Sequence, residues 1–270
     1  MPVAEEITCA ASALLAPLLT GRPRRLRLVA ATRVSRHYET GDPLTPGCPT
    51  LSVLAPEAVR LPDAVVLDAE QALPHGDIVA GALGGAGTAP IGESVSWLRV
   101  TRWWRAAKPS RLAPPPDLGE LTRAEWRVRV WGVPALHVRG DLEPLALLGA
   151  GPGLTPAGDD VLAAALVTAR ATADPRLPHW CARTRHALDT RSTTVVSRGL
   201  LTHALQGYAV PPLADFLTAV CAPKGPRDPD SPDEVERTLT RLLGVGHSSG
   251  AALATGVLHT LGTRATAAAA

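Results

Sequence analysis

The acidic pair Asp159 and Asp160 directly follows the glycine- and proline-rich segment GAGPGLTPAG, residues 149–158. An apolar run precedes this segment and a helical pattern, residues 161–170, follows it, so the backbone must turn sharply just before a helix begins. The start of a helix offers free N–H groups and a partial positive charge, and glycines let a phosphate or carboxylate approach the backbone. The segment therefore predicts an anion-binding loop.

The two aspartates have two interpretations. In the first they complement the helix dipole, which is worth about 0.3–1 kcal/mol each at an exposed site. In the second, Mg²⁺ bridges Asp159 or Asp160 and a ligand phosphate, since this ion uses one or two carboxylates together with substrate oxygens. Thr155 is expected to cap the helix and Pro156 to take its first position. A Walker loop is excluded because no Gly-Lys-Ser/Thr sequence closes the segment.

A second glycine-rich loop, GVGHSSG at residues 244–250, precedes an alanine-rich helical pattern and is another candidate anion site. It also matches G-x-S-x-G, but a helical pattern precedes Ser248 and only His259 follows it, which argues against a hydrolase. Ser248 or Ser249 either caps the helix or contacts a ligand. His247 would then be the ionisable contact.

A series of hydroxyl side chains, Thr193, Thr194 and Ser197, precedes the apolar positions of a further helix. Thr193 and Ser197 are four residues apart and are expected to share a helix face, where they either bond back to helix carbonyls or contact a ligand. His37, in the strand-like segment VSRHYET, is expected at the surface of an edge strand.

Composition excludes several classes of protein. The chain has 270 residues, 46% of them apolar, and a net charge of +2 without a dense Lys/Arg block, so nucleic acid is not an expected partner. No apolar stretch reaches the roughly 20 residues that a membrane span needs. Glu5 and Glu6 precede the first apolar run and arginines follow it, the reverse of a signal peptide, which favours the cytoplasm. The cysteines are too far apart for a zinc site or a disulfide framework and are expected to be reduced: Cys9, Cys48, Cys181 and Cys221.

The pattern of elements predicts an α+β protein, with a β-rich N-terminal part, an antiparallel sheet or small barrel, followed by a mainly helical C-terminal part. A first helix is expected at residues 4–19. The strand-like segments after it are RLRLVAATRVSRHYET, PTLSVLA, EAVRL, AVVLD, DIVAGAL and SVSWLRVTRWW. The proline-rich segment 108–122 is the expected crossing between domains, which gives a domain at 1–115, a helical domain at 116–265 and a frayed tail at 266–270.

The helical part is expected to hold one or two helices within residues 123–147 and a surface loop at 223–232. The other expected helices lie at 159–172, 178–206, 212–221, 232–243 and 248–262.

Three motifs together resemble the bacterial family that contains AllH, a subunit of oxamate carbamoyltransferase. They are LLGAGPGLTPAGDD, TTVVSRGLLTHALQG and GVGHSSGAALATG, and the first is close to a glycine-rich signature G-x-G-P-G-L-T-P-S-G-D-D. Ala157 stands where that signature has serine. The resemblance extends over residues 142–262, and it is loose in the N-terminal half, where VSRHYETGDPLTPG is a degraded form of the family's early motifs.

The resemblance implies transfer of a carbamoyl group between a small ureido acid (oxalurate) and phosphate, giving oxamate and carbamoyl phosphate, in purine or allantoin catabolism. The expected ligand is a small anion such as phosphate, carbamoyl phosphate or oxamate, and the expected partners are other carbamoyltransferase subunits. The expected catalytic residues are Asp159, Asp160 and His247, the first two also as Mg²⁺ ligands. The expected ligand contacts are Gly151, Gly153, Thr155, Gly158, Thr193, Ser197, Gly246, Ser248, Ser249 and Gly250. The alternative is a non-catalytic subunit that binds a small anion or serves assembly, and convergence of the two glycine-rich loops would favour a site over two unrelated helix caps.

Overall fold

Strands dominate the N-terminal part of the chain and helices the C-terminal part, which confirms the α+β class. The computed structural model describes residues 6–41, 49–82, 96–114, 141–223 and 234–268. The strands are β1 (Glu6–Ser12), β2 (Arg24–Ala31), β3 (Ser35–Glu39), β4 (Thr50–Leu54), β5 (Ala64–Leu67), β6 (Ile78–Ala80) and β7 (Ser96–Trp104). The α-helices are α1 (Ala16–Leu19), α2 (Pro144–Leu147), α3 (Ala157–Ala171), α4 (Leu177–Thr190), α5 (Val195–Ala204), α6 (Pro211–Cys221), α7 (Glu234–Leu243) and α8 (Ser249–Ala268).

These elements form two compact units. The first, the barrel unit, consists of Met1–Ala106 and Arg198–His203. The second, the helical unit, consists of Ala107–Ser197 and Ala204–Ala270. A short segment of α5 thus belongs with the barrel, although it is distant from the strands in sequence.

The seven strands close into a barrel in the order β1-β5-β4-β3-β2-β6-β7. The expectation of a small barrel is confirmed. The expectation of antiparallel pairing holds for four pairs and is wrong for three, because β1 pairs with β7, β4 with β5 and β6 with β7 in parallel. Closure leaves each of these strands with two neighbours and removes the exposed edges that promote aggregation.

The interior of the barrel follows from the period of two along each strand. Alternate apolar residues turn inward and form one buried cluster, with the small side chains Cys9 and Ala11 from β1 beside the large Tyr38 from β3. The remaining strand residues of this cluster are Ile7, Leu26, Leu51, Val53, Val65, Leu67, Ile78, Ala80 and Leu98. The alternate positions of the same strands lie outside this cluster, and several of them are polar.

Two elements of the N-terminal part differ from expectation. The helix expected at residues 4–19 is wrong: Glu6–Ser12 forms β1, and only Ala16–Leu19 is α-helical. Only Glu6 to Cys9 alternates strictly between polar and apolar residues, which is too short to decide between helix and strand, and pairing with β5 and β7 decides the outcome. EAVRL, residues 57–61, is also not a strand but a turn between Pro56 and Pro62.

In the helical unit, α3 and α8 pack closely against each other. Gly256 of α8 makes this possible, because a Cβ at that position would overlap the carbonyl oxygen of Val161 and lie 2.8 Å from the Cβ of Ala164. Nearly all of α3 is buried, from Gly158 to Ala169 and again at Ala171. α3 is therefore the central helix of this unit, and its packing fixes the position of its first turn.

Most helices begin and end close to the expected residues, with one clear exception. The single helix expected at 178–206 is wrong, since α4 ends at Thr190 and α5 begins at Val195. The break coincides with Ser192, Thr193 and Thr194, whose hydroxyls favour caps and turns over helix interiors. The first two positions of α5 are β-branched and give no sequence signal of a break by themselves.

Other expectations fall partly or wholly outside the described residues. Of the helices expected within 123–147, only α2 is described, and the surface loop expected at 223–232 lies outside apart from its first residue. The crossing segment 108–122 is described as far as residue 114 and holds neither helix nor strand there. α8 extends to Ala268, into the segment expected to be frayed.

Two further expectations concern cysteines and membranes. Cys9, Cys181 and Cys221 are buried and form no disulfide among the described residues, and Cys48 lies outside these residues. Within the described ranges, no helix has both the length and the apolar composition that crossing a membrane requires.

Candidate functional site in the helical unit

The glycine-rich segment forms the connection between α2 and α3, as the sequence predicts. Gly149, Gly151 and Gly153 have φ values of +73°, +114° and +96°, a region that residues with a Cβ rarely adopt. A Cβ on Gly153 would meet no atom within 4 Å, so the loop is open at this point. The predicted cap is wrong: Pro156 is the N-cap of α3, without a side-chain hydrogen bond, and Ala157 is the first helical residue.

Asp159 ties the loop to the helix. It is buried in the first turn of α3, where its Oδ1 accepts a hydrogen bond from the backbone N–H of Gly149 over 2.7 Å. Its Oδ2 accepts a hydrogen bond from the Thr193 hydroxyl. Both carboxylate oxygens are therefore bonded to protein groups, and the side chain closes the glycine-rich loop onto α3.

Asp160 is buried beside it but is bonded differently. The hydroxyls of Ser249 and Thr155 hydrogen-bond its carboxyl group, while its Oδ2 is buried and has no hydrogen-bond partner among the described residues. Burial, together with the charge of Asp159, raises the pKa of Asp160 to about 7, although the two hydroxyl hydrogen bonds act in the opposite direction. Asp160 is therefore an acid that titrates close to neutral pH.

The two glycine-rich loops converge at this point. The hydroxyls of Thr155, in the first loop, and Ser249, at the start of α8, share a hydrogen bond of 2.8 Å. This is the arrangement that favours a site over two unrelated helix caps. We call Thr155, Asp159, Asp160, Thr193 and Ser249 the hydroxyl–acid cluster.

A third helix begins at the same place. The Thr194 hydroxyl donates to the Leu154 carbonyl over 2.5 Å and accepts from the N–H of Ser197 over 3.0 Å, so it caps α5 while it contacts the first loop. The N-terminal ends of α3, α5 and α8 thus meet around residues 154–155, and each carries a partial positive charge. The capping role of Thr194 was not assigned from the sequence, although Thr directly before an apolar helical run is its usual signal.

The other hydroxyls of this region are placed differently from expectation. Thr193 does not share a helix face with Ser197, because Thr193 precedes α5 and contacts Asp159 instead. Ser197 is buried within α5, and its Oγ has no hydrogen-bond partner in the described part of the chain. The back-bonding to a helix carbonyl considered for Ser197 is therefore not present.

Two of the glycines expected to contact a ligand are in tight packing positions. A Cβ on Gly158 would overlap the Leu147 carbonyl oxygen, and one on Gly250 would overlap the Leu242 carbonyl oxygen. Gly246 has φ +60° in the turn before α8. His247 is exposed in that turn, and Ser248 beside it is half-buried.

The expected Mg²⁺ site uses one or two carboxylates together with oxygens of a bound ligand. Mg²⁺ was expected at Asp159 and Asp160, but both oxygens of Asp159 already accept hydrogen bonds. Among the described residues, no three His, Cys, Asp or Glu side chains are grouped so that they could hold a metal ion. Mg²⁺ at Asp159 or Asp160 stays a prediction.

The barrel unit contains a separate buried polar group that the sequence did not reveal. His37 is only 4% exposed, and its Nε2 and Nδ1 lie 2.9 Å from the hydroxyls of Ser35 and Ser52. Nearby, Thr50 hydrogen-bonds Asp63, whose Oδ1 has no hydrogen-bond partner in the described ranges. The expected surface position of His37 is wrong because β3 pairs with both β2 and β4 and is not an edge strand.

Comparison with known proteins supports the relationship that the motifs indicated. No solved structure matches the chain. The family model described as "Oxamate carbamoyltransferase subunit AllH" matches residues 147–261, a range that begins at the end of α2 and includes every member of the hydroxyl–acid cluster. The C-terminal helical region, from residue 147 to residue 261, is thus similar to the AllH family.

Proposed function

We propose that the helical unit binds a small anionic metabolite at the hydroxyl–acid cluster, as a subunit of a carbamoyltransferase-type enzyme. The ligand is a carboxylate or phosphate such as oxamate, carbamoyl phosphate or phosphate itself. The match to an oxamate carbamoyltransferase subunit supports the reaction class. Partner subunits belong to the proposal for the same reason.

The observation that carries the proposal is the hydrogen-bonded link from Thr155 to Ser249 and from both to Asp160. It joins the two glycine-rich loops at a single point. The buried Oδ2 of Asp160 lacks a partner among the described residues, and leaving a buried polar atom unsatisfied costs about 1–3 kcal/mol. A ligand that bonds this oxygen would recover that free energy.

The chemistry of carbamoyl transfer suits such a site. Negative charge develops on the carbamoyl oxygen as a nucleophile attacks, and preorganised N–H and hydroxyl donors stabilise it. The hydroxyls of Thr155 and Ser249 supply such donors beside the positively polarised starts of three helices. We propose direct displacement by phosphate, with Asp160 bonded to the ligand, Asp159 holding the loop in position and His247 as a contact from the exposed side.

The alternative is a subunit that binds the anion or serves assembly without taking part in the reaction. It predicts anion binding, or none, with no carbamoyl transfer even when the partner subunits are present. The two functions are separated by measuring binding and turnover independently.

Binding is tested first by thermal unfolding and calorimetry with oxamate, carbamoyl phosphate and phosphate, each with and without Mg²⁺. A ligand at 100 times its Kd adds about 2.7 kcal/mol to the stability of the folded protein. Ser249→Ala and Thr155→Ala should weaken binding, because each removes a hydroxyl that contacts Asp160. The matched control is Thr240→Ala, which removes an exposed hydroxyl of α7 that donates to the Glu236 carbonyl of its own helix. If none of the three anions binds, the proposed site is wrong.

Turnover is tested by phosphate release from carbamoyl phosphate in the presence of oxamate. The assay is run with the chain alone and with its candidate partner subunits. Loss of turnover in Ser249→Ala but not in Thr240→Ala would support the catalytic proposal. Anion binding without turnover in any combination would favour the assembly alternative.

A further inference from the structure

We propose that Thr194 is a positioning residue of the anion site, which holds the first glycine-rich loop in the conformation that binds the ligand. This inference rests on the proposed function and concerns the same site. Thr194 acts through Leu154 and Thr155 and does not contact the ligand itself. It belongs to the connection between α4 and α5, residues 191–194, which holds the loop at two places.

The start of the loop is held by the two residues before Thr194. The Ser192 carbonyl oxygen lies 2.9 Å from the position that a Cβ on Gly149 would take, so the two backbones are close together. The Thr193 hydroxyl hydrogen-bonds Oδ2 of Asp159. Oδ1 of the same carboxylate accepts from the Gly149 N–H over 2.7 Å. Both contacts fix the loop at Gly149.

Thr194 holds the end of the loop. Its hydroxyl donates to the Leu154 carbonyl oxygen over 2.5 Å and accepts from the Ser197 N–H over 3.0 Å. Leu154 directly precedes Thr155, whose hydroxyl shares the hydrogen bond of 2.8 Å with Ser249. Thr194 therefore holds the residue next to the one that joins the two glycine-rich loops.

The single hydroxyl hydrogen of Thr194 decides its role. A hydroxyl group has one hydrogen to donate and two lone pairs to accept with. An anionic ligand needs a donor, but this hydrogen is already used in the bond to Leu154. Thr194 thus contributes to anion binding through the loop that it holds, and not by a bond to the ligand.

The stretch between the two fixed points has few other restraints. Three residues at its tip are exposed: Gly151, Pro152 and Gly153. Four of its backbone N–H groups do not hydrogen-bond any other described residue, those of Gly151, Gly153, Leu154 and Thr155. Without the contact from Thr194, this stretch would have to be ordered when the ligand binds. The free energy of that ordering is lost from the affinity.

The test is calorimetric titration of the full chain with oxamate and with phosphate, for the wild type, Thr194→Val and Thr194→Ser. Valine has the shape of threonine but lacks the hydroxyl, whereas serine keeps the hydroxyl. Thr194→Val should raise the Kd about three- to tenfold, because one hydrogen bond that holds the loop is lost. Thr194→Ser should bind both anions as the wild type does.

A second measurement follows the loop without any ligand. The order parameters of the Leu154 and Thr155 amides, from ¹⁵N NMR relaxation, should be about 0.85 in the wild type and in Thr194→Ser. They should fall below about 0.6 in Thr194→Val and rise again when the anion is bound. A role of Thr194 as the cap of α5 alone would lower stability but would leave these two amides unchanged.

Two further variants complete the experiment. Thr238→Val removes a buried hydroxyl of α7 that donates to the Glu234 carbonyl over 2.7 Å, and its Kd should equal that of the wild type. Thr193→Val removes the hydrogen bond to Asp159 and leaves the Thr194 cap of α5 in place. It should also raise the Kd, which tests the inference even where Thr194→Val does not fold.

The outcomes separate this inference from the proposed function. If the wild type binds the anions and both valine variants of the connection bind them equally well, the positioning role is wrong and the anion site stands. If Thr194→Ser binds as weakly as Thr194→Val, the hydroxyl is not responsible and the inference is also wrong. If the wild type binds neither anion, the proposed function fails and the inference fails with it.

Discussion

Gly250 is expected to be a packing position, and Gly250→Ala should destabilise the helical unit. A Cβ there would overlap the Leu242 carbonyl oxygen and lie 2.8 Å from the Leu242 carbonyl carbon and 2.9 Å from the Leu243 Cα. All three atoms belong to the backbone of α7, which cannot rotate away as a side chain would. Alanine has a helix propensity about 1 kcal/mol better than glycine, whereas forcing atoms into a packed interior costs typically 1–3 kcal/mol and sometimes more. We expect a net loss of about 1–2 kcal/mol.

The measurement is thermal unfolding followed by circular dichroism at 222 nm, which reports the helices. For a chain of this size a loss of 1 kcal/mol lowers the Tm by about 2–4 °C, so the expected shift is about 2–8 °C. Gly244→Ala is the control in the same loop, because its Cβ would be 3.4 Å from the nearest atom, the Arg241 carbonyl oxygen. It should be neutral or slightly stabilising. Equal Tm values for the two variants would refute the packing argument.

Three further predictions concern buried polar groups. In the wild type the free energy of unfolding should fall as pH rises from about 4 to about 7, because the raised pKa of Asp160 lets the folded protein keep a proton that the unfolded chain has released. Asp160→Asn should remove this loss of stability. Urea unfolding at pH 5 and pH 8 measures it. Arg176→Ala should cost about 3 kcal/mol in urea unfolding, since Arg176 is bidentate to the buried Asp174 and breaking such a pair typically costs 3–5 kcal/mol. Burial raises the pKa of Cys9 to about 12, so mass spectrometry should find Cys9 unmodified by iodoacetamide at pH 8 unless the protein is unfolded first.

The fold class and most helices follow from the sequence because they depend on local signals. β-branched residues between turns predict strands, and a glycine- and proline-rich loop before an apolar helical run predicts the start of α3. β1 could not be recognised in the same way. Only its first four residues, Glu6 to Cys9, alternate strictly between polar and apolar, and its partners β5 and β7 are supplied by segments about 55 and 90 residues away. Barrel closure and the parallel pairs are likewise properties of the whole sheet.

The candidate site, too, could be predicted from the sequence only where it depends on local signals. Asp159 and Asp160 can be selected from the sequence because they follow a glycine-rich loop at a helix start. The different hydrogen bonding of the two aspartates cannot be predicted from the sequence, because it depends on Thr193 and Ser249. These residues are 34 and 89 residues away from Asp159 and Asp160, respectively. His37 shows the reverse case: its residue type attracts attention, but only the sheet order shows that it is buried.

The glycines of the helical unit connect packing with the candidate site. Gly158 brings the start of α3 against the end of α2, Gly250 brings the start of α8 against the end of α7, and Gly256 brings α8 against α3. Each contact needs a position without a Cβ, and together they fix two helix starts closely enough for Thr155 and Ser249 to share a hydrogen bond of 2.8 Å. Direct contact of Gly158 and Gly250 with the ligand stays a prediction, whereas their packing shows that they allow backbones to approach. A methyl group at Gly250 should therefore weaken anion binding as well as stability, and it should do so without removing any group that contacts the ligand.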